Sequence, residues 1–380
     1  MAESKQNYDA IVLGVGGMGS ATVHELARRG ARVLGLEQFQ VAHDRGSSHG
    51  ETRIIRKAYF EHPDYVPLLV RAYERWFDLE KQTGKRLFTI CGCLSLGMPD
   101  SELVAGVLKS AAQHQLPVES LSRQEIHQRW PGLHLREDMT GVLEQEAGFL
   151  AVEQCVSTHA EVARAARAEI HEGEAVRSWQ ANEREVSVTT DRGTYRAAKM
   201  VVTAGAWATR LLADLGLPLA VRRQVLVWHG SSRAADYQLG RFPCYMAEVP
   251  GNFFYGFPIA DQRGAKAAQH HHGTPVLDPS QLDRVITAPD LAPVQGFLKE
   301  YLPGVDGSMQ QACACMYTMT PDTHFILDLH PRYPNIAIAA GFSGHGFKFA
   351  SAIGEIMADL ALQGKTGLPI EMFRIARFGR

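Results

Sequence analysis

Apolar residues along the chain change period several times, and each change marks an element. Residues 9–14, Asp-Ala-Ile-Val-Leu-Gly, form a short apolar run closed by glycine, the pattern of a strand buried on both faces. Met18, Ala21, Val23, Leu26 and Ala27 then recur at helical spacing over 18–29, and Gly30 closes the helix. Ala31 to Glu37 reads as a second strand, so the start of the chain predicts a β-α-β unit. Leu68, Leu69, Ala72, Trp76 and Leu79 predict a helix over 67–85. Further helices are expected within 101–130, before the turn Trp130-Pro131-Gly132, and around 155–168. Alternating strands follow near 183–196, and Lys199 to Thr203 reads as a buried strand entering Ala204-Gly205-Ala206-Trp207. Strands are expected at 222–229 and 252–258, ahead of a polar stretch through histidines 270–272. Near the end, Ile336 to Ala340 is an apolar strand, Gly341 to Gly346 a glycine-rich turn, and Ala350 to Leu362 an amphipathic helix.

Glycine-rich strand exits therefore occur at the start, middle and end, with less regular segments between. The pattern predicts an α/β, Rossmann-like cofactor domain in three pieces, residues 1–85, 150–215 and 311–380. A mixed α+β substrate domain is expected from 86–149 and 216–310. The length of 380 residues accommodates both.

Composition narrows the class. A formal net charge of −2 lacks the basic surface that displaces phosphate counterions, which argues against nucleic acid as a partner. No segment reaches the roughly 20 apolar residues of a membrane span. The polar start, Met1 to Tyr8, lacks the regions of a signal peptide, so the expected location is cytoplasmic. The six cysteines are expected as thiols. Cys91/Cys93 and Cys313/Cys315 are Cys-x-Cys pairs far apart, outside any His-rich frame, and predict no metal site.

Gly14-Val15-Gly16-Gly17-Met18-Gly19 is a G-x-G-x-x-G between strand and helix. Gly14 permits the turn, Gly16 lets a pyrophosphate approach the backbone, and Gly19 lets helix and strand pack closely. The helix N-terminus offers unpaired N–H groups to phosphates. Glu37, at the end of the second strand, stands where a carboxylate accepts ribose hydroxyls. This motif serves NAD and FAD alike, which leaves an NAD-dependent dehydrogenase or a non-catalytic flavin-binding protein as rivals. Residues 194–205, similar to the second nucleotide-contact segment of FAD oxidoreductases, and the N–H-rich turn 341–346 favour FAD.

Over its full length the sequence resembles the monomeric sarcosine oxidase and N-methyltryptophan oxidase family. The resemblance is densest in His49-Gly50-Glu51-Thr52-Arg53-Ile54-Ile55-Arg56, in Tyr255-Gly256-Phe257-Pro258, in Cys315-Met316-Tyr317-Thr318, and in Gly341 through Phe349. It implies a fold like p-hydroxybenzoate hydroxylase and FAD attached covalently through Cys315 to the flavin 8α carbon; chemistry alone does not choose between Cys313 and Cys315. It implies that Arg56 and Lys348 grip a substrate carboxylate, that Arg53 lies near the flavin ring, and that Lys266 activates oxygen. His49, His270 and His345 fall at positions used around the flavin or pocket; Tyr255, Met246 and Tyr317 resemble pocket walls. Thr52, Gly344 and Gly346 join Gly14, Gly16, Gly19 and Glu37 as expected cofactor contacts. Ser48 before His49, Glu51 for the usual Asp and Lys57 after Arg56 depart from the family pattern.

The implied reaction is oxidation of a secondary N-methyl amino acid, sarcosine as reference, by a monomer using oxygen and releasing hydrogen peroxide. Met246 and Met316 match the sarcosine type. A larger N-methyl or cyclic amino acid, such as N-methyltryptophan or pipecolate, is the alternative.

Overall fold

In the computed structural model, which describes residues 5–270 and 273–379, the opening apolar run is strand Lys5–Leu13, and the helix after it is Gly17–Arg28. Strand Val33–Leu36 pairs parallel with Lys5–Leu13, completing the β-α-β unit. Thr194–Val202 lies parallel on the other side of Lys5–Leu13, and Tyr333–Ala340 parallel beyond it. The sheet thus joins segments from the start, middle and end of the chain.

Both faces of this sheet are buried, which explains its continuous rather than alternating hydrophobicity. Ala10, Val12, Val201 and Ala337 pack with Val23 and Leu26 of the first helix and with Ile353 and Met357 of helix Ala350–Gln363. Ile11, Leu13, Val202 and Ile338 face the opposite way, towards Val186 and Val188. The apolar stripe near 155–168 belongs to helix Val152–Ala165, which packs on Gly17–Arg28.

The second sheet explains the middle of the chain. It runs in the order Thr274–Val276, Ala220–His229, Ala265–Gln269, Asn252–Phe257, Cys244–Val249, Cys93–Gly97, Thr140–Glu144, Glu119–Leu121. Along each strand successive side chains point to opposite faces. One face carries Leu94, Tyr245, Phe254 and Ala267, which pack with Phe297 and Tyr301 of helix Ala288–Tyr301. The register places Cys93 beside Cys244, Met246 beside Tyr255, and Trp228 and Phe257 on either side of Lys266, all on the other face. That face carries the chemistry described below. A small antiparallel sheet, Thr52–Ile55, Gly148–Ala151 and Phe88–Ile90, sits between the two larger ones in the chain order.

One expected boundary moves. Strand Met309–Met319, which carries Cys313 and Cys315, hydrogen-bonds along Ala220–His229 and so belongs to the second sheet, not to a cofactor piece beginning at 311. Its composition suits either sheet; only the pairing partner distinguishes them. Among the described residues no helix is long and apolar enough to cross a membrane. His271 and His272 lie outside the described residues.

Candidate active site

A cleft of about 440 Å³ lies at the carboxyl ends of the parallel strands of the first sheet, lined by the 14–18 turn, Glu37, residues 174–177, 203–207 and the 341–347 turn. Gly14 has φ +88°, and a Cβ there would come within 2.9 Å of the Thr203 carbonyl oxygen. A Cβ on Gly19 would lie 1.8 Å from the Gly14 carbonyl oxygen, so only glycine allows this strand-to-helix approach. Glu37 is buried, and its carboxylate accepts the Val15 N–H at 2.8 Å and the Phe39 N–H at 3.0 Å. The carboxylate that faces the cleft is therefore held by the turn itself. Helix Gly17–Arg28 has no side-chain cap at Gly16; Ser48 Oγ accepts only the Gly17 N–H, at 3.1 Å. The first-turn N–H groups lack intrahelical acceptors and carry the positive end of the helix dipole. An uncapped helix start, a fixed carboxylate and an elongated cleft fit a dinucleotide cofactor.

A second cavity, about 60 Å³, adjoins the cleft. Arg53, Tyr317, Gly344 and Phe347 line both, so the boundary between cofactor space and ligand space falls there. The small cavity contains Arg56, Glu61, Met246, Tyr255, His270 and Lys348. Arg56 donates to Glu61 Oε2 at 2.9 Å and to the Ala58 carbonyl at 3.0 Å, its guanidinium stacked 4.2 Å from the Tyr59 ring centre. Lys348 Nζ donates to the His345 carbonyl at 2.6 Å and to the Tyr59 hydroxyl at 3.3 Å. Burial, reinforced by Arg56, pushes the Lys348 ammonium down to about 7. Burial pushes the Glu61 carboxyl up, but Arg56, His345 and Lys348 outweigh it and hold it below its ordinary range. Tyr317 OH lies 3.2 Å from His270 Nδ1 and 3.5 Å from Tyr255 OH.

Behind the boundary, the turn before strand Thr52–Ile55 is held from two sides. Glu153, at the start of helix Val152–Ala165, accepts the Gly50 N–H at 2.7 Å and the Glu51 N–H at 3.0 Å. Lys266 Nζ, buried between Trp228 and Phe257, donates to the carbonyls of Gly50 (2.5 Å) and Thr52 (2.9 Å) and contacts Thr52 Oγ1 at 2.9 Å. Burial, with help from Arg53, pushes the Lys266 ammonium well down. Its three contacts satisfy the charged form, and a neutral amine is also satisfied because the Thr52 hydroxyl can donate.

Period two places Cys313, Cys315 and Tyr317 on one face of their strand. Cys315 Sγ lies 3.6 Å from Arg53 Nη2 and 3.6 Å from the Ser47 carbonyl. Burial pushes its thiol up, but His49 and Arg53 outweigh burial and bring it down to about 7. His49 responds in kind: burial opposes the imidazolium, yet Cys315 and Cys313 raise it to about 10. Between those values the pair exists as thiolate and imidazolium.

Of the expected site residues, Gly14, Gly16, Glu37, Gly344 and Gly346 line the cleft, and Arg56, Lys348, Met246, Tyr255 and His270 line the small cavity. Lys266, Thr52, His49 and Cys315 line neither; they form the layer behind Arg53. Glu61, Tyr59 and Glu153 were not legible as site residues. Glu61 belongs to no motif, and Glu153 reaches its turn from 102 residues away.

The family model described as FAD dependent oxidoreductase matches residues 9–360. The chain is 43% identical over 374 residues to the monomeric sarcosine oxidase of Streptomyces avermitilis, covering 96% of each. It is 38% identical over 374 residues to the N-methyl-L-tryptophan oxidase of Yersinia pestis, covering 98% of this chain and 100% of that one. Among solved structures, NikD, an amino acid oxidase of nikkomycin biosynthesis, superposes with TM-score 0.86 at 28% identity, over 97% of this chain and 98% of NikD.

The thiolate–imidazolium pair has a measurable signature. In flavin-free protein, alkylation of Cys315 by iodoacetamide, followed by peptide mass spectrometry, is expected to rise with a midpoint near pH 7. His49→Asn removes the cation and should move that midpoint up by about 1–3 pH units. A midpoint that stays put in the variant excludes His49 as the partner.

Proposed function

Since the chain belongs to the FAD-dependent oxidoreductases, within the monomeric sarcosine and N-methyl-L-tryptophan oxidase family, and is a flavin oxidase of CH–NH donors using oxygen, we propose that its substrate is a small secondary N-methyl amino acid, sarcosine as reference. The products are then glycine, formaldehyde and hydrogen peroxide. One observation carries this reading: a small cavity holding two buried cations, Arg56 and Lys348, shares Arg53 and Tyr317 with the cofactor cleft.

The uncapped helix at Gly16, Glu37 and the 341–346 turn would hold the dinucleotide, and Cys315, kept as a thiolate by His49, would be its covalent anchor. Bound FAD supplies the two-electron acceptor and the route to oxygen. Arg56 and Lys348 bind the substrate carboxylate, which competes with Glu61 for Arg56; an anion reaching both cations is favoured. Tyr255, Tyr317 and Met246 exclude water around the amine, which lowers its pKa and favours the neutral nitrogen whose lone pair assists C–H cleavage. In its protonated form, which the Gly50 and Thr52 carbonyls favour, Lys266 places positive charge behind Arg53, where it stabilises the anion formed as oxygen takes its first electron. The active species is a monomer, and a sedimenting dimer contradicts that part.

The direct test is peroxide release with a panel of N-methyl and cyclic amino acids. Sarcosine should give the highest kcat/KM; preference for N-methyltryptophan or pipecolate assigns the larger substrate instead. After acid precipitation the yellow colour should stay with the wild-type pellet and leave with Cys315→Ser. Colour released from wild type rules out the covalent bond.

Truncating one partner of a buried charged contact costs about 2–5 kcal/mol. Arg56→Ala or Lys348→Ala should therefore weaken a carboxylate inhibitor at least about tenfold, read from the flavin spectrum. A bound carboxylate raises the Lys348 pKa, so binding takes up a proton and affinity falls as pH rises above about 7. Lys348→Met should flatten that slope, and unchanged affinity in both alanine variants removes the clamp.

For Lys266→Met, stopped-flow should show near-normal anaerobic reduction and reoxidation slowed by about 10²–10³. Reoxidation at the wild-type rate sinks the oxygen role.

A further inference from the structure

Three cysteines meet at the foot of strand Cys244–Val249, on the side away from Cys315 in the sheet order. Cys93 and Cys244 are opposite one another on adjacent parallel strands. Cys91 precedes Cys93 across a turn at Gly92, whose φ of +78° lies in the left-handed region that glycine favours. Backbone bonds fix the turn: the N–H groups of Cys91 and Gly92 both donate to the Ala147 carbonyl, at 3.2 and 2.9 Å, and Cys244 N–H donates to the Gly92 carbonyl at 3.1 Å. The result is a thiol pair, Cys91 Sγ and Cys244 Sγ, 3.7 Å apart. Cys91 is half-buried, whereas Cys244 is fully buried. None of the steps assigned to the active site uses either sulfur.

We propose that Cys91 and Cys244 form a peroxide-oxidisable dithiol, a modification site whose product is an intramolecular disulfide. Cys91 sulfur attacks one peroxide oxygen, the O–O bond breaks, and the products are a sulfenic acid and water. Cys244 sulfur then attacks the sulfenic sulfur, forming the S–S bond and expelling a second water. Two thiols have lost two hydrogens, and one hydrogen peroxide has become two waters. The sulfurs must close by about 1.7 Å to the bonded distance of about 2.05 Å.

The two positions divide the roles. Cys91 is half-buried, unlike Cys244, and its contact with Cys244 lowers its thiol pKa, against the opposing effect of burial. Burial pushes the Cys244 thiol well up, which suits a resolving rather than an attacking sulfur. Cys93 and Cys155 are fully buried with thiols pushed up by burial, and serve as internal controls. The bond would tie the 91–92 turn to the foot of the strand carrying Met246, a wall of the small cavity. Peroxide as the endogenous oxidant rests on the proposed oxidase reading; the chemistry of the pair does not.

The experiment treats reduced holoenzyme with added hydrogen peroxide, then maps peptides by mass spectrometry without reductant. The expected product is a cross-linked peptide pair joining Cys91 and Cys244, reversed by dithiothreitol, with Cys93 and Cys155 unchanged. Cys244→Ser should accumulate a dimedone adduct on Cys91, and Cys91→Ser should leave Cys244 as a thiol. Cys91 passing to sulfinic acid without cross-link, a bond to Cys93, or oxidation of Cys244 in Cys91→Ser each overturns the proposal. A parallel sample turning over sarcosine in air, with and without catalase, tests the oxidant separately. A cross-link with added peroxide but none during turnover rejects the endogenous source and leaves the pair standing.

Discussion

The turn from His49 to Thr52 is held between a half-buried carboxylate and a buried amine, and the candidate site is arranged around it. Glu153 takes its N–H groups and Lys266 its carbonyls, so both ends of the local peptide dipoles are engaged. The turn needs this. Gly50 has φ +84° and Glu51 φ +71°, the second a conformation that costs a residue with a side chain of order 1–3 kcal/mol. Burying a charge is also costly unless it is fully hydrogen-bonded, and each of the two groups has several partners here. Holding this turn aims His49 and Arg53 at Cys315 and leaves Arg53 on the wall common to both cavities.

A period-two rule organises the second sheet in the same economical way. Its one face is spent on aromatic and aliphatic packing against helix Ala288–Tyr301, which fixes the register. The other face inherits that register, so Met246, Tyr255, Lys266, Cys313, Cys315 and Tyr317 share a surface without any local pattern requiring it. A slip of one residue would bury this chemistry in the helix interface.

The small cavity balances opposing charges where water is scarce. Burial opposes both cations and Glu61 favours both, but the outcome differs: the guanidinium stays ionised, while the amine, with Arg56 beside it, is brought to about 7. A carboxylate bound there, as proposed, would shift that balance and couple ligand binding to pH.

The β-α-β start, the Gly14–Gly19 turn, Glu37 and the final strand, turn and helix were legible because their physics is local. A glycine that must approach a carbonyl, or an apolar stripe at helical spacing, is written in adjacent residues. Family blocks added Arg53, Arg56, Cys315 and Lys348 as expectations. They did not reveal Glu61 beside Arg56 or Glu153 beneath Gly50. Nor did they show that the Cys315 strand joins the second sheet, or that Cys91 meets Cys244 across 153 residues. Local hydrophobic periodicity selects helix or strand and says which side chains share a face. Which strands become neighbours, and in what register, is decided by closure of the whole packed structure, so contacts between distant segments emerged only from the tertiary fold.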